Sequence, residues 1–155
     1  MSTLIERNQF KAEASKVHRA ISLTRANAVY RSEPVTLCPL ESSKQCGTDW
    51  DNQLSVFSDI NSNGVLDKEE SILYSLPALP EDSSVIRTHS RDIAITFRPD
   101  GSAFGYNGTV SVCFKGDTEL SSTVIVSSVG RIRLGLDTDK DGRAENSDGS
   151  IVDCT

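Results

Sequence analysis

Apolar residues recur at alternating spacings of four and three near the N-terminus. Phe10, Ala14, Val17, Ile21, Thr24 and Ala28 fall on one helical face, while Glu6, Arg7, Lys11, Glu13, Lys16, Arg19 and Arg25 lie mostly off it. No Gly or Pro interrupts the run, which predicts a helix over 4–32. Its stop is legible: Arg31 sits in the last turn, and Pro34 drives Glu33 towards an extended conformation. After Pro34 no helical period returns. Short β-like runs alternate with turn residues: Val35–Cys38, Leu54–Phe57, Ile72–Leu76, Val85–Arg87, Ile93–Phe97, Phe104–Tyr106, Thr109–Phe114, Thr123–Ser127, Val129–Leu134 and Ile151–Cys154. Asn107-Gly108 is a hairpin-type dipeptide and Pro99-Asp100-Gly101 a strong turn signal. One long helix followed by strands alone predicts an α+β fold in which the strands cover the helix's apolar face. A free coiled-coil arm is the alternative, but a stripe containing Ala and Thr is thin for a zipper.

The 155 residues fit one domain, 1–155, with a helix over 4–32 and a β-rich head over 34–155. Trp50, the only tryptophan, is the expected core anchor. No run approaches the roughly 18–20 apolar residues that span a bilayer, and Met1-Ser2-Thr3 leads straight into the helix without a signal peptide.

Charge is unevenly placed. The net charge is −6, yet residues 1–33 hold six Lys/Arg against three Asp/Glu, which leaves the remainder at −9. A basic helix carrying an acidic head is not the general footprint of a nucleic-acid binder, so any such site has to be local.

Cys38, Cys46, Cys113 and Cys154 form no CxxC, and only His18 and His89 exist to complete a metal site, which argues against structural zinc. An even count at loop-like positions favours two disulfides and an oxidising compartment. Of three connectivities, Cys38–Cys46 closes a short loop and Cys113–Cys154 staples the C-terminus to a strand; this pairing is the preferred one. Four reduced cysteines in a cytosolic protein are the alternative.

Two acidic segments carry oxygen donors at alternate positions. Asp59, Asn61, Asn63, Gly64 and Glu70 fit the calcium-loop template, with Asp67 inside the loop. The flanking segments read as strands rather than EF-hand helices, so the competing reading is a hairpin whose Asp and Asn side chains bond their own backbone. Asp137, Asp139 and Asp141 begin a second, less regular loop, with Asp148 where a Glu is expected. No cofactor other than calcium is indicated. Gly130-Arg131-Ile132-Arg133 places two arginines one residue apart on an expected strand, hence on one face, where their guanidinium groups can clamp adjacent phosphates of DNA. The competing reading pairs them with the acidic loop that follows. Catalysis has little support: neither histidine has a partner motif, and no nucleophile elbow, phosphate loop or HExxH occurs.

Order and local motifs together resemble the FimT/FimU/GspH family of minor pilins and minor pseudopilins. The helix holds Ala20 to Val29, similar to the family's "L..AR..A" segment. Pro34 to Cys38 and Trp50 follow, then Val56 to Glu70, close to "vF.D.N.NG..D..E..L". Ile95 to Gly101, Val112-Cys113 and Ser128 to Arg133 complete the match. The Gly-Trp that often precedes the "vF" strand is missing around Trp50. The resemblance implies a type IV pilin-like fold, a long N-terminal helix packed against antiparallel sheet. It implies a subunit that takes part in initiation and tip assembly of a type IV pilus or a type II secretion pseudopilus, with other minor and major pilins as partners. It also implies a cleaved leader and an apolar helical half that this sequence lacks, so the anchor is expected to have been removed. The implied location is the inner membrane facing the periplasm, then the pilus or cell surface. In the FimT subgroup a GRxR motif binds DNA during natural transformation, which here corresponds to Gly130, Arg131 and Arg133. The alternatives are therefore a DNA-uptake pilin and a calcium-binding extracellular adhesive module.

Overall fold

A computed structural model describes residues 4–78, 83–88, 94–103, 105–114 and 117–134. Helix α1 spans Leu4–Arg31. Val17, Ile21, Thr24 and Ala28 of the expected stripe are fully buried, Ala14 packs against the same core, and Ala20 joins them from the adjoining column. Thr24 is tolerated there because its hydroxyl donates to the Ala20 carbonyl at 2.7 Å. Each fully buried Val or Ile contributes about 1.5–3 kcal/mol relative to exposure, so this face holds the helix in place. The side chain of Phe10 lies outside the described residues. No helix among the described residues is long and apolar enough to cross a membrane.

The helix ends as its sequence requires. Ser32 turns left-handed at φ 54°, and the Glu33 N–H donates back to the Ala28 carbonyl at 3.3 Å. That six-to-one bond is a Schellman cap, with Pro34 immediately after it. The Arg31 Nε–H donates to Glu33 at 2.8 Å, which pulls the Glu33 carboxyl below its ordinary value.

Two antiparallel four-stranded sheets follow. The first contains β1 (Val35–Cys38), β2 (Leu54–Ser58), β3 (Ile72–Leu76) and β5 (Ile95–Phe97), in the order β3-β2-β1-β5. The second contains β4 (Ser83–Thr88), β6 (Gly108–Phe114), β7 (Asp117–Val126) and β8 (Ile132–Leu134), in the order β4-β6-β7-β8. Val35, Leu37, Val56, Ile95 and Phe97 of the first sheet share one core with the helix, with Trp50, and with Val110, Val112, Val124 and Val126 of the second.

Strand β1 is central and buried on both faces. Its outward face is covered by two loops. Cys38, Phe57 and Ala94 form a small second core with Leu40, Cys46 and Leu66. The Cys38–Cys46 disulfide closes the covering loop, and that loop is bonded to the segment after β2 through Cys46 N–H to the Gly64 carbonyl (2.9 Å) and Leu66 N–H to the Lys44 carbonyl (2.8 Å). Cys113 is also disulfide-bonded; its expected partner Cys154 lies outside the described residues.

Three strand expectations are corrected. Asn107-Gly108 joins no two strands: Gly105 and Tyr106 lie in a turn and Gly108 opens β6. The expected strand from Val129 is shorter, because Ser127 to Gly130 close a turn (Gly130 N–H to the Ser127 carbonyl, 2.9 Å) and β8 begins at Ile132. Strand β7 starts at Asp117 rather than Thr123, because pairing with β6 carries its polar first half. Ile93, Phe104 and Ile151–Cys154 lie outside the described residues.

Candidate functional site

The segment after β2 is organised around Asp59, a carboxylate fully buried against β1. One of its oxygens accepts from the Asn63 N–H (3.1 Å), the other from the Gly64 N–H (3.0 Å) and the Thr36 hydroxyl (2.8 Å). Thr36 and Thr96 hydroxyls are 2.7 Å apart. Since the single Thr36 proton goes to Asp59, Thr96 is the donor in that pair. The Asn63 side-chain oxygen accepts from the Val65 N–H at 3.0 Å. Asn61 and Asn63 amides donate to Asp67, at 3.2 and 3.1 Å. Both Glu70 oxygens accept backbone N–H groups, from Ile60 (2.6 Å) and Asp67 (2.9 Å). Asp59, Asn61, Asn63, Asp67 and Glu70 are thus brought into one loop whose oxygens face the loop's own donors. Among the described residues no group of three His, Cys, Asp or Glu is arranged to hold a metal. Asp137, Asp139 and Asp141 lie outside the described residues.

The second site lies where three elements meet. Arg131 precedes β8 and Arg133 lies on it. Both are exposed, while Ile132 between them is half-buried and packs on the main core. The alternation keeps both guanidinium groups on the outward side, although Arg131 is outside the strand proper. The turn before them is pinned at both ends of Arg131: its N–H donates to the Ser127 hydroxyl (3.0 Å) and its carbonyl accepts from the Ser127 N–H (2.9 Å). Gly130 has φ 91°, and a Cβ there would overlap the Gly101 carbonyl oxygen and lie 2.7 Å from its carbon. Glycine is required for both reasons.

Gly101 belongs to the turn after β5, closed by Gly101 N–H to the Arg98 carbonyl (2.8 Å). Asp100 in this turn accepts from the Ser102 N–H at 2.9 Å, and its contact with Ser102 holds its carboxyl below the ordinary Asp value. The Arg25 Nε–H donates to the Gly101 carbonyl at 3.2 Å. Its guanidinium covers the Gly101 Cα so closely that a Cβ there would lie 3.0 Å from Nη2. Arg25 and Arg131 line one groove of about 570 Å³, with Ser22 and Ala26 on the helix side and Val129, Gly130 and Ile132 opposite. In the sequence Arg25 reads as an off-face charge within the Ala20–Val29 segment. Nothing local could have revealed its role, since its partner is 76 positions away.

A family model described as type II transport protein GspH matches residues 13–130. The chain belongs to the GspH family. It is thus of the minor pilin and minor pseudopilin kind, a structural rather than enzymatic class, and has the α+β type IV pilin fold. A crystal structure of the type IV minor pilin FimU of Pseudomonas aeruginosa strain PAO1 superposes with a TM-score of 0.68 at 19% identity, covering 86% of this chain and 93% of that one. The minor pseudopilin EpsH from the type 2 secretion system of Vibrio cholerae superposes with a TM-score of 0.57 at 13% identity, covering 81% and 95%. At such identities the likeness is one of fold. No curated protein matches the chain.

Proposed function

We propose that this GspH-family chain is a minor subunit that takes part in initiation and tip assembly of a type IV pilus or related filament. The observation that carries the reading is family membership across 13–130 together with a helix whose buried stripe faces the core while large apolar side chains near its end stay exposed. The buried stripe fixes the helix under the sheets. Near its end the helix exposes Val29 (47%) and Tyr30 (88%) to neighbouring pilins. Exposed large apolar side chains of this kind suit contact with another subunit. Anchoring in the inner membrane facing the periplasm, followed by transfer to the pilus, accords with the disulfides, which persist in oxidising compartments. Deleting the gene should reduce surface filaments, or secretion if the filament is a pseudopilus, and the wild-type gene should restore them. A Val29→Ser/Tyr30→Ser variant that folds normally should restore them poorly. Undiminished filaments and secretion in the deletion strain would contradict the reading.

A second reading, DNA binding for uptake, is favoured by one observation: Arg131 and Arg133 project together from a turn and strand that are otherwise fixed. Among the described residues neither forms an ion pair. Salt-sensitive DNA binding lost in Arg131→Ala/Arg133→Ala would support it. No contact in the 59–70 loop favours calcium or an adhesive role, because Asp59 and Glu70 already serve backbone N–H groups and Asp67 accepts the Asn61 and Asn63 amides.

A further inference from the structure

We infer that the groove between α1 and the turn joining β7 to β8 is an anion-binding site in which Arg25 of the helix and Arg131 of the turn hold one ligand, the phosphodiester backbone of a nucleic acid. The inference rests on the DNA reading above and changes its geometry. The site becomes a cleft between two elements rather than one face of a strand.

Four observations converge. The groove, about 570 Å³, is lined by Ser22, Arg25 and Ala26 on the helix and by Val129 to Ile132 opposite, and among the described residues that line it there is no carboxylate. In a chain of net charge −6, two guanidinium groups with no carboxylate among the described lining residues form a local field opposed to the average. Arg25 is already ordered, because its Nε–H is spent on the Gly101 carbonyl and its plane lies over Gly101. The terminal nitrogens carry the N–H groups that can form a fork to a phosphate, and among the described residues they enter no ion pair. Less side-chain freedom is then lost on binding than for a mobile surface arginine. The Arg131 backbone is fixed by its bonds to Ser127, which sets where its side chain leaves the turn.

The small residues complete the site. Ala26 and Gly130 keep the groove open between the two arginines. Gly130 also lets the turn settle against Gly101, which Arg25 covers. Arg25, Gly101, Gly130 and Arg131 are therefore one continuous contact. The nearest carboxylate in the adjoining turn, Asp100, is held by Ser102. A phosphodiester fits better than an acidic peptide: planar forks match tetrahedral phosphate oxygens, and a backbone supplies phosphates in series for Arg25, Arg131 and the neighbouring Arg133.

The test is fluorescence anisotropy of a labelled DNA duplex titrated with the full chain at several salt concentrations. Wild type, Arg25→Ala, Arg25→Gln and Arg131→Ala/Arg133→Ala are compared, with polyglutamate as competitor and the melting temperature measured for each variant. Arg25→Gln retains a donor towards Gly101, so it reports charge loss should Arg25→Ala fail to fold. Both Arg25 variants should weaken binding and lower the slope of log affinity against log salt by about one. A merely structural Arg25 would shift the melting temperature and leave that slope alone. If wild type binds, the double variant fails to bind and Arg25→Gln matches wild type, the inference is wrong and the DNA reading stands. If wild type binds no DNA at low salt, the DNA reading fails and takes the inference with it. Displacement of DNA by polyglutamate, with the same dependence on Arg25, would make the ligand an acidic peptide and overturn the phosphodiester assignment.

Discussion

The Thr36 hydroxyl donates to a buried Asp59 oxygen at 2.8 Å, and this bond joins the centre of the first sheet to the loop that covers it. The same carboxylate receives the Asn63 and Gly64 N–H groups. Asp59→Ala removes the acceptor and leaves three donors behind. With buried unsatisfied groups costing about 1–3 kcal/mol each, and some regaining water at the loop, the expected loss is about 3 kcal/mol, or roughly 6–12 °C in melting temperature for a domain of this size. Thermal unfolding followed by circular dichroism checks it, and Asp59→Asn should fall between wild type and Asp59→Ala.

Gly130→Ala should destabilise by about 1–3 kcal/mol, because it combines a left-handed φ with overlap of the Gly101 carbonyl. Gly101→Ala should act at the same junction, through φ 84° and the Arg25 guanidinium. The two losses should be less than additive in the double variant, since the first already separates the two turns. Strict additivity in urea unfolding would mean that the turns do not support one another.

The Cys38–Cys46 disulfide closes a loop of sequence separation 8. Chain-entropy reasoning assigns so short a loop about 2.5 kcal/mol. Cys38→Ser/Cys46→Ser should unfold at correspondingly lower urea. The effect should also appear as faster proteolysis at 39–46, because the disulfide holds that loop against the 59–70 segment. Unchanged protection would show that the Gly64 and Lys44 backbone bonds alone suffice.

Glu33 lies below its ordinary pKa, chiefly because Arg31 donates to it, with Ser58 adding a further bond. A depressed carboxyl stabilises the fold above its unfolded value, near 4.5, and that contribution is lost as pH falls through the lower folded value. The effect is small at so exposed a pair. Glu33→Gln should therefore melt slightly below wild type at pH 7, and the two curves should converge in acid. A gap that persists below the folded value would assign the difference to packing instead.

Much of this fold could be read from short-range pattern. The helix stripe succeeded because Val17, Ile21, Thr24 and Ala28 share one burial environment, and the helix end succeeded because Pro34 admits few continuations. Strands β1, β2 and β3 were legible for the same local reasons. Asn107-Gly108 failed because a hairpin dipeptide needs strands on both sides, and Tyr106 before it is held in a turn by its N–H bond to Ala103. In the 59–70 loop the sequence supplied two chemically sound readings. Only the placement of Thr36 beneath Asp59 shows which donors the carboxylate serves. The Arg25–Gly101–Gly130 junction was invisible, since its parts come from a helix and two turns far apart in sequence. The resemblance carried the family, and the match over 13–130 bears it out.

Incorporation of this chain into a filament as a minor subunit is tested by quantitative immunoblotting of sheared filaments from the source cells. The chain should be present there at a small fraction of the major subunit, and an antibody to its β-rich head should label filament ends. Complete absence from filaments, with the protein found only in the soluble periplasm, would contradict it.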